Sequence, residues 1–201
     1  MYDWRRLTPD ERNQALQSRM LKGHPWHAPP HQDRGECAYH VSSSCYEHQP
    51  VLGLSPQRMA EYESHLLQSV AQASDELYAW SVLPNHYHLL LRTRNIHALL
   101  KVLGQLHGRT SHQWNGEENT RGRKVWHSAA DRAMRSGRHF WATMNYVHHN
   151  PVHHRYCQRW QEWPYSSARL FLEEVGRKEA IRIWEDYPIR DYGKGWDDPD
   201  L

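Results

Sequence analysis

The stretch LYAWSVLPNHYHLLLR, Leu77–Arg92, determines how the centre of this chain folds. It contains two apolar runs, Leu77–Leu83 and His86–Arg92, and each run is long enough for one strand. Pro84 and Asn85 separate the runs, and both residue types favour turns. The stretch therefore predicts two neighbouring antiparallel strands joined by a tight turn.

The second of these strands carries two histidines in the pattern His-Tyr-His. Because side chains alternate between the two faces of a strand, His86 and His88 point to one face, whereas Tyr87, Leu89 and Leu91 point to the other. Two imidazoles on one face can bind one metal ion. Ordinary surface or hydrogen-bonded histidines are the alternative in a chain with seventeen of them.

The regions around this hairpin predict the remaining elements. They are a strand over residues 37–46, a helix from Ser55-Pro56 to about Ala73, a helix from Asn95 to about Asn115, a strand over residues 124–134, and a helix near residues 140–150 that Pro151 terminates. The complete order is strand, helix, strand, strand, helix, strand, helix. It predicts an α+β fold, a ferredoxin-like split βαβ sandwich with helices on one face of an antiparallel sheet.

We divide the chain into three segments. Residues 1–36 form an N-terminal extension of a helix and a loop, and a capping box of Thr8 and Glu11 marks the start of that helix. Residues 37–154 form the core, and residues 155–201 form a C-terminal extension. A length of 201 residues fits one domain with such additions.

Composition excludes several classes of protein. No run of eighteen apolar residues is present, and the first residues have no apolar stretch after their charges, so the sequence predicts neither a membrane span nor a secretory signal. The three cysteines have no paired spacing and fit reduced thiols. We expect a cytoplasmic protein.

Charge is distributed unevenly along the chain. The formal net charge is +2, but residues 92–138 hold ten Arg or Lys and three acidic residues, a local net charge of +7. Such a segment suits a binding site for a polyanion, although a helix or loop that only solvates its exposed face has a similar composition.

A second motif, YVHHNP, lies some sixty residues after the histidine pair and begins at Tyr146. On a helix, Tyr146 and Asn150 would lie one turn apart on one face, off the apolar stripe, so the amide oxygen could complete a metal site beside the phenol. A metal and a tyrosine together indicate phosphodiester chemistry. The alternatives are a half-buried aromatic residue and an ordinary residue at a helix end. The neighbouring histidines are expected to face solvent or phosphate; they are His148, His149, His153 and His154.

Together the two motifs resemble those of the single-tyrosine HUH transposases, in particular the branch of REP-associated tyrosine transposases. The resemblance rests on PNHYHLL at Pro84–Leu90 and YVHHNPV at Tyr146–Val152. Two further stretches are similar to that branch, Val125–His127 and Trp163–Ser167. The whole resemblance spans roughly residues 37–170, with the motifs in the same order.

This resemblance implies an endonuclease and strand transferase that acts on single-stranded DNA at REP-type hairpins. Tyr146 would attack a DNA phosphate, leaving a 5′-phosphotyrosine link and a free 3′-hydroxyl. His86, His88 and Asn150 would bind a divalent cation, Mg²⁺ or Mn²⁺. Tyr87 stands where the family has a hydrophobic residue, and we expect it to pack under the sheet.

DNA binding would combine phosphate contacts from the basic segment with stacking on exposed rings. Arg92 follows the histidines on the same strand face and is the first candidate. The other candidates are Arg94, Arg121, Arg123 and Lys124. A monomer and a homodimer both remain open, because the helix with Tyr146 could dock on its own chain's histidines or on a partner's.

Two other functions compete with this interpretation. A catalytically silent regulator on the same fold would bind single-stranded nucleic acid without cleaving it. A metal phosphoesterase acting on small nucleotides is less consistent with the sequence, since histidine-triad hydrolases need a further histidine where this chain has Leu90.

Overall fold

The computed structural model describes residues 7–22 and 34–193. Its strands are β1 (Cys37–Ser44), β2 (Glu76–Val82), β3 (His86–Thr93) and β4 (Ala130–Ala133). Its α-helices are α1 (Pro9–Leu21), α2 (Pro56–Ala71), α3 (Ile96–Glu117), α4 (Gly137–His153), α5 (Ala168–Val175) and α6 (Arg177–Asp186). Short 3₁₀ helices span Tyr46–His48, Leu52–Leu54 and Trp160–Glu162.

The four strands form one antiparallel sheet in the order β2-β3-β1-β4. The predicted hairpin joins β2 to β3, and Leu83 donates its backbone N–H to the His86 carbonyl across the turn at 2.8 Å. Because β3 lies between β1 and β2, the helix between those two strands makes a split βαβ unit. The predicted α+β class and ferredoxin-like arrangement are confirmed.

One face of the sheet packs against α2 and α3. Tyr87, Leu89 and Leu91 are fully buried there, as the alternation of the sequence predicts. The buried Tyr87 hydroxyl forms a hydrogen bond with His107 Nε2 at 3.1 Å. Side-chain oxygens cap the two helices at the predicted positions, Ser55 for α2 and Asn95 for α3.

The other face is also covered. The helices α4, α5 and α6 pack there in a second apolar cluster that includes Leu90, Met144, Val147, Phe171 and Ile183. The expectation of helices on one face therefore describes only α2 and α3. The apolar stripe of α4 and the aromatic residues of the C-terminal segment both need burial, and this second face supplies it.

Two predicted element boundaries differ from the structure. Pro151 does not end α4, which continues to His153, so the predicted stop was wrong. Proline removes a single helical hydrogen bond, and in the last turn few bonds remain to be disturbed. The predicted fourth strand is reduced to β4, while the residues before it make an isolated bridge between Cys45 and Trp126.

The C-terminal segment extends the sheet layer along β2. Val82 donates its N–H to the Tyr165 carbonyl at 2.8 Å, and Ser167 donates to the Trp80 carbonyl at 3.1 Å. The Trp163 indole also donates to the Val82 carbonyl at 2.8 Å. These bonds cover what would otherwise be an open sheet edge. The division between core and C-terminal extension stays a prediction.

The N-terminal helix α1 has the predicted capping box of Thr8 and Glu11, and it buries none of its residues. Most of the loop predicted after it, residues 23–33, lies outside the described residues, as do residues 194–201 of the C-terminal extension. Within the described ranges, no helix has the length and apolar content needed to span a membrane.

Two buried histidines should make the fold sensitive to acid. Burial lowers the pKa of His107 from 6.5 to about 3, and burial, with a smaller contribution from His149, does the same for His148. Both rings stay neutral in the folded protein, whereas the unfolded chain takes up protons below pH 6.5. Their stabilising contribution is therefore complete above that pH and is lost as the pH falls towards 3.

Between pH 7 and pH 5, we expect each ring to lower the free energy of unfolding by about 2 kcal/mol. Urea denaturation at both pH values measures the loss. His107→Gln, which keeps a polar group near Tyr87 but does not titrate, should lose about 2 kcal/mol less than the wild type. An equal loss in both proteins would contradict the assignment of His107 as neutral.

Candidate active site

The two motif histidines lie on the face of β3 that meets α4. Their ring centroids are 5.0 Å apart, and each residue is 2% exposed. The side-chain oxygen of Asn150 lies 2.9 Å from His86 Nε2. The ring of Tyr146 meets His88 edge-on, with 5.2 Å between centroids. The four residues selected from the two distant motifs thus form one cluster within one chain.

The position of α4 follows from its sequence. Ser136 accepts a hydrogen bond from the His139 N–H and starts the helix, and Met144 and Val147 direct its apolar side to the sheet. Tyr146 and Asn150 follow one turn apart and both are buried. The expectation that they lie off the apolar stripe was wrong for Tyr146, whose ring belongs to the second apolar cluster.

His86 is held from behind by the residue that precedes it. Its Nδ1 lies 2.6 Å from Asn85 Oδ1, and Asn85 Nδ2 donates to the His48 carbonyl at 3.2 Å. His48 and Glu47 both adopt positive φ, 53° and 56°, a conformation that residues other than glycine rarely adopt. The sequence predicts only a turn role for Asn85, and its contact with His86 emerges from the structure.

His40 is a second site residue that the sequence analysis missed. It is 4% exposed, and its Nε2 lies 3.1 Å from His88 Nδ1, with the two rings stacked. His40 pairs with Leu90 across β1 and β3, so its side chain shares the face of the motif histidines. The alternation of Tyr39, His40 and Val41 carried a signal for this face, but only the pairing of the strands brings His40 to His88.

The C-terminal segment covers Tyr146, which is 5% exposed. The Tyr192 ring meets it edge-on at 5.4 Å between centroids, and the Tyr192 hydroxyl accepts a hydrogen bond from Thr143 Oγ1 at 2.6 Å. Gly193 packs on the ring so closely that a Cβ there would lie 2.9 Å from Tyr146 Cζ. Access to the phenol therefore requires Gly193 and its neighbour to move.

Two candidate DNA contacts lie far from this cluster. Arg92 shares the strand face of His86, but it is six residues further along β3, about 20 Å away. Its guanidinium forms ion pairs with Glu36 at 3.6 Å and Glu76 at 3.3 Å. Arg94 lies at the same end of the sheet and pairs with Glu36 and with an aspartate.

The other three candidates lie towards the opposite end of the sheet, where Ser44 pairs with His86. Arg121 donates to the His112 carbonyl at 2.7 Å, and Arg123 pairs with Glu118 at 2.8 Å. Lys124, the remaining candidate, is exposed. Its ammonium lies 4.6 Å from the centre of the Tyr46 ring, and that ring is next to the ring of His127.

The histidines of the second motif do not all face solvent or phosphate as expected. His148 is fully buried, within 2.9 Å of Ser167 Oγ, and it packs against Trp160 and Phe171. The prediction was wrong for this residue, because the C-terminal segment folds over it. His154 lies closer to the cluster, with its ring centroid 4.9 Å from that of His86.

A comparison with protein families identifies the chain. A family model described as transposase, IS200-like, matches residues 34–156, and this range contains both motifs. The chain belongs to the IS200-like transposase family. No curated protein matches it. Among solved structures, it is similar to a REP-associated tyrosine transposase bound to a REP hairpin, with 14% identity, a TM-score of 0.55, and coverage of 85% of this chain and 88% of the other. At this identity the likeness concerns the fold.

A cation site beside the motif histidines of this IS200-like transposase would need an amide oxygen as a ligand. Among the described residues, no group of three His, Cys, Asp or Glu side chains is arranged to hold a metal ion. Because Asn85 Nδ2 donates to a carbonyl, its Oδ1 accepts from His86 Nδ1, and His86 Nε2 then presents a lone pair to the Asn150 oxygen. Two acceptors 2.9 Å apart attract each other only with a cation or a proton between them. This geometry fits a cation site.

Replacing Gly193 should uncover the phenol. A Cβ in Gly193→Ala would clash with the Tyr146 ring, and φ of +83° adds strain, so we expect the segment to leave the ring. Nitration of Tyr146 by tetranitromethane, located by mass spectrometry, should become severalfold faster.

Gly176→Ala is the matched control. Gly176 also has positive φ, but a Cβ there would meet no atom within 4 Å. This variant carries the backbone strain without the clash, so its Tyr146 should react at the wild-type rate. Equal acceleration in both variants would mean that general loosening, and not release of the ring, exposes the phenol.

Proposed function

We propose that this transposase cleaves and rejoins single-stranded DNA at REP-type hairpins, with Tyr146 as the nucleophile. One observation carries the proposal: within a single chain the ring centroids of Tyr146 and His88 lie 5.2 Å apart, and the Asn150 amide oxygen lies 2.9 Å from His86 Nε2. A cytoplasmic location and action on DNA as a monomer or homodimer belong to the same proposal. The contacts of Tyr146 with histidines of its own chain favour attack in cis.

His86, His88 and Asn150 would hold a divalent cation, Mg²⁺ or Mn²⁺. Two neighbouring ligands of an octahedral ion with bonds of ~2.1 Å lie about 3 Å apart, close to the 2.9 Å between His86 Nε2 and the Asn150 oxygen. Asn150 Nδ2 is buried without a hydrogen-bond partner among the described residues, so an ion bound at the oxygen would be what orients this amide. Imidazole ligands favour Mn²⁺ or a later metal over Mg²⁺, whereas the amide oxygen also suits Mg²⁺. When bound, the cation would polarise the scissile phosphate and stabilise the departing oxygen.

Tyr146 would carry the covalent step. Its hydroxyl oxygen forms a bond to phosphorus, and the bond between phosphorus and the 3′ oxygen breaks. The phenol loses its proton, and the departing oxygen gains one to become a 3′-hydroxyl. The downstream strand is left as a 5′-phosphotyrosine ester, and a 3′-hydroxyl of another strand can attack this ester to rejoin DNA. One phosphodiester bond is exchanged for another, so the cycle needs no energy source.

The protein positions the nucleophile through α4. A helix is rigid, and the next turn of α4 supplies Asn150, so phenol and amide keep a fixed separation. Asn145, on the same helix, donates to the Tyr187 carbonyl at 2.9 Å and ties α4 to the C-terminal segment. Such fixed placement lowers the entropic cost of aligning the phenol with a bound phosphate.

For DNA binding we favour the end of the sheet that carries His86. Lys124 lies there with the rings of Tyr46 and His127, and a cation beside aromatic faces suits a nucleotide with its phosphate. Arg121 would support the same path, and Arg123 would do so once Glu118 releases it. The carboxylates around Arg92 and Arg94 would have to be displaced before either could bind phosphate.

A catalytically silent DNA-binding regulator is the second candidate. The observation that favours it is the cover on Tyr146, which leaves the phenol 5% exposed. If the cover does not open on DNA, the protein binds its hairpin and performs no cleavage. A phosphoesterase of the histidine-triad type has less support, because Leu90 is buried in the apolar cluster.

Formation of a covalent adduct tests the nuclease. Hairpin-bearing single-stranded DNA incubated with the protein and Mn²⁺ or Mg²⁺ should give a protein–DNA adduct that survives a denaturing gel. Tyr146→Phe should abolish the adduct, because it lacks the attacking oxygen, whereas Tyr78→Phe, at a tyrosine on β2, should not. Binding without adduct in the wild type and in Gly193→Ala would favour the regulator, and equal adduct in Tyr146→Phe would reject the nucleophile.

The salt dependence of DNA binding tests the binding path. Each lost phosphate contact lowers the slope of log affinity against log salt by about 1. Lys124→Ala should therefore reduce the slope and weaken binding, while Arg92→Ala should change neither greatly. Fluorescence anisotropy with a labelled hairpin, at salt concentrations from roughly 50 to 200 mM, measures the affinity and the slope. The reverse result would relocate the path to the Arg92 end of the sheet.

A further inference from the structure

We propose that Asn85 and His40 are positioning residues that fix the proton and the orientation of the two motif imidazoles before any ion binds. This inference rests on the proposed function, in which His86 and His88 are metal ligands. An imidazole ligand must direct an unprotonated nitrogen to the ion, and a hydrogen bond at its other nitrogen selects the required tautomer. Each motif histidine has such a contact at Nδ1.

For His86, the chain of contacts defines the direction of the hydrogen bond. Asn85 Nδ2 donates to the His48 carbonyl, so Asn85 Oδ1 faces His86 Nδ1 at 2.6 Å as an acceptor. The proton of a neutral His86 ring therefore lies on Nδ1. The unprotonated nitrogen is then Nε2, which lies 2.9 Å from the Asn150 oxygen. Asn85 and His86 are 3% and 2% exposed, so water competes little for these contacts.

The anchor of this chain is a turn in a costly conformation. Glu47 and His48 adopt left-handed backbone angles in succession, and this conformation is unfavourable for residues other than glycine. Tyr46 donates its N–H to the Val125 carbonyl at 2.6 Å, and Cys45 donates to the Asn85 carbonyl at 2.7 Å, and these bonds hold the chain where it enters the turn. The turn thereby directs the His48 carbonyl at the Asn85 amide.

For His88, the corresponding partner comes from the neighbouring strand. His40 Nε2 lies 3.1 Å from His88 Nδ1, and the rings stack at 5.1 Å with 30° between their planes. If His88 donates from Nδ1, His40 accepts at Nε2, and Nε2 of a neutral His88 ring is then unprotonated, as it is in His86. His40 also meets Tyr146 edge-on at 5.8 Å between centroids. The His40 ring therefore packs against both a candidate ligand, His88, and the candidate nucleophile.

The tautomers can be measured without metal or DNA. In ¹⁵N-labelled wild-type protein at roughly pH 9, where neutral imidazole predominates, ring nitrogen shifts should show the proton of His86 and His88 on Nδ1. A proton on Nε2 of either ring in the metal-free wild type would overturn the proposal for that ring. This measurement needs no variant.

Variants separate positioning from simple burial. Asn85→Ala should remove the preference of His86 for the Nδ1 proton, whereas Asn85→Asp keeps an acceptor and should preserve it. For His88, His40→Phe should remove the preference, and His40→Gln, which retains an acceptor of similar reach, should preserve it. Asn115→Ala is the control for loss of a buried amide, because the side chain of Asn115, on α3, forms hydrogen bonds with Arg123 and not with the motif histidines.

Metal affinity gives the second measurement. Binding of Mn²⁺, followed by its electron paramagnetic resonance signal, should weaken about 10- to 100-fold in Asn85→Ala and His40→Phe. It should stay close to wild type in Asn85→Asp, His40→Gln and Asn115→Ala. Thermal unfolding of every variant identifies any loss caused by destabilisation alone.

The outcomes distinguish this inference from the proposed function. If His86→Ala and His88→Ala bind Mn²⁺ as well as the wild type does, the proposed metal site fails. If those two variants lose Mn²⁺ but Asn85→Ala and His40→Phe keep wild-type tautomers and affinity, the metal site stands and the positioning role fails. Loss of the Nδ1 tautomer and of affinity, with recovery in the Asp and Gln variants, supports the positioning role.

Discussion

The strict alternation of side chains along β3 is the constraint on which this structure depends. Tyr87 and its apolar neighbours require α2 and α3 on one face, while His86 and His88 emerge on the other. A slip of one residue in register would exchange the two sets and bury imidazoles in the apolar core. The pairing of β3 with β1 and β2 therefore defines the fold and the location of the candidate site together.

The second face combines apolar packing with polar chemistry, and α4 makes this possible. Val147 and Met144 give the helix its apolar anchor, and Tyr146 and Asn150 lie on the same packed surface. His148 and Asn145 connect α4 to the C-terminal segment through Ser167 and the Tyr187 carbonyl. The residues after the core thus contribute to the position of the helix that carries the candidate nucleophile.

Polar groups in this cluster are almost completely buried, so each needs a partner that compensates for lost water. Asn85 and His40 supply such partners to the two imidazoles, and the strained turn at His48 supplies one to Asn85. Strain in a turn and burial of imidazoles both reduce stability, and proteins retain such features where a site must be rigid before its ligand arrives. The same logic explains why the turn before His86 contains asparagine and not only proline.

The sequence by itself determined the order of the core elements along the chain, the starts of α1, α2 and α3, and the faces of β3, because hydrophobic period, capping and turn chemistry act over a few residues. It also selected His86, His88, Tyr146 and Asn150 by their motifs. Only tertiary structure decided that His40 reaches His88, that α4 continues past Pro151, and that Gly193 covers Tyr146. Those contacts join residues from different elements, and their energy depends on how strands pair and helices pack, which no local pattern encodes.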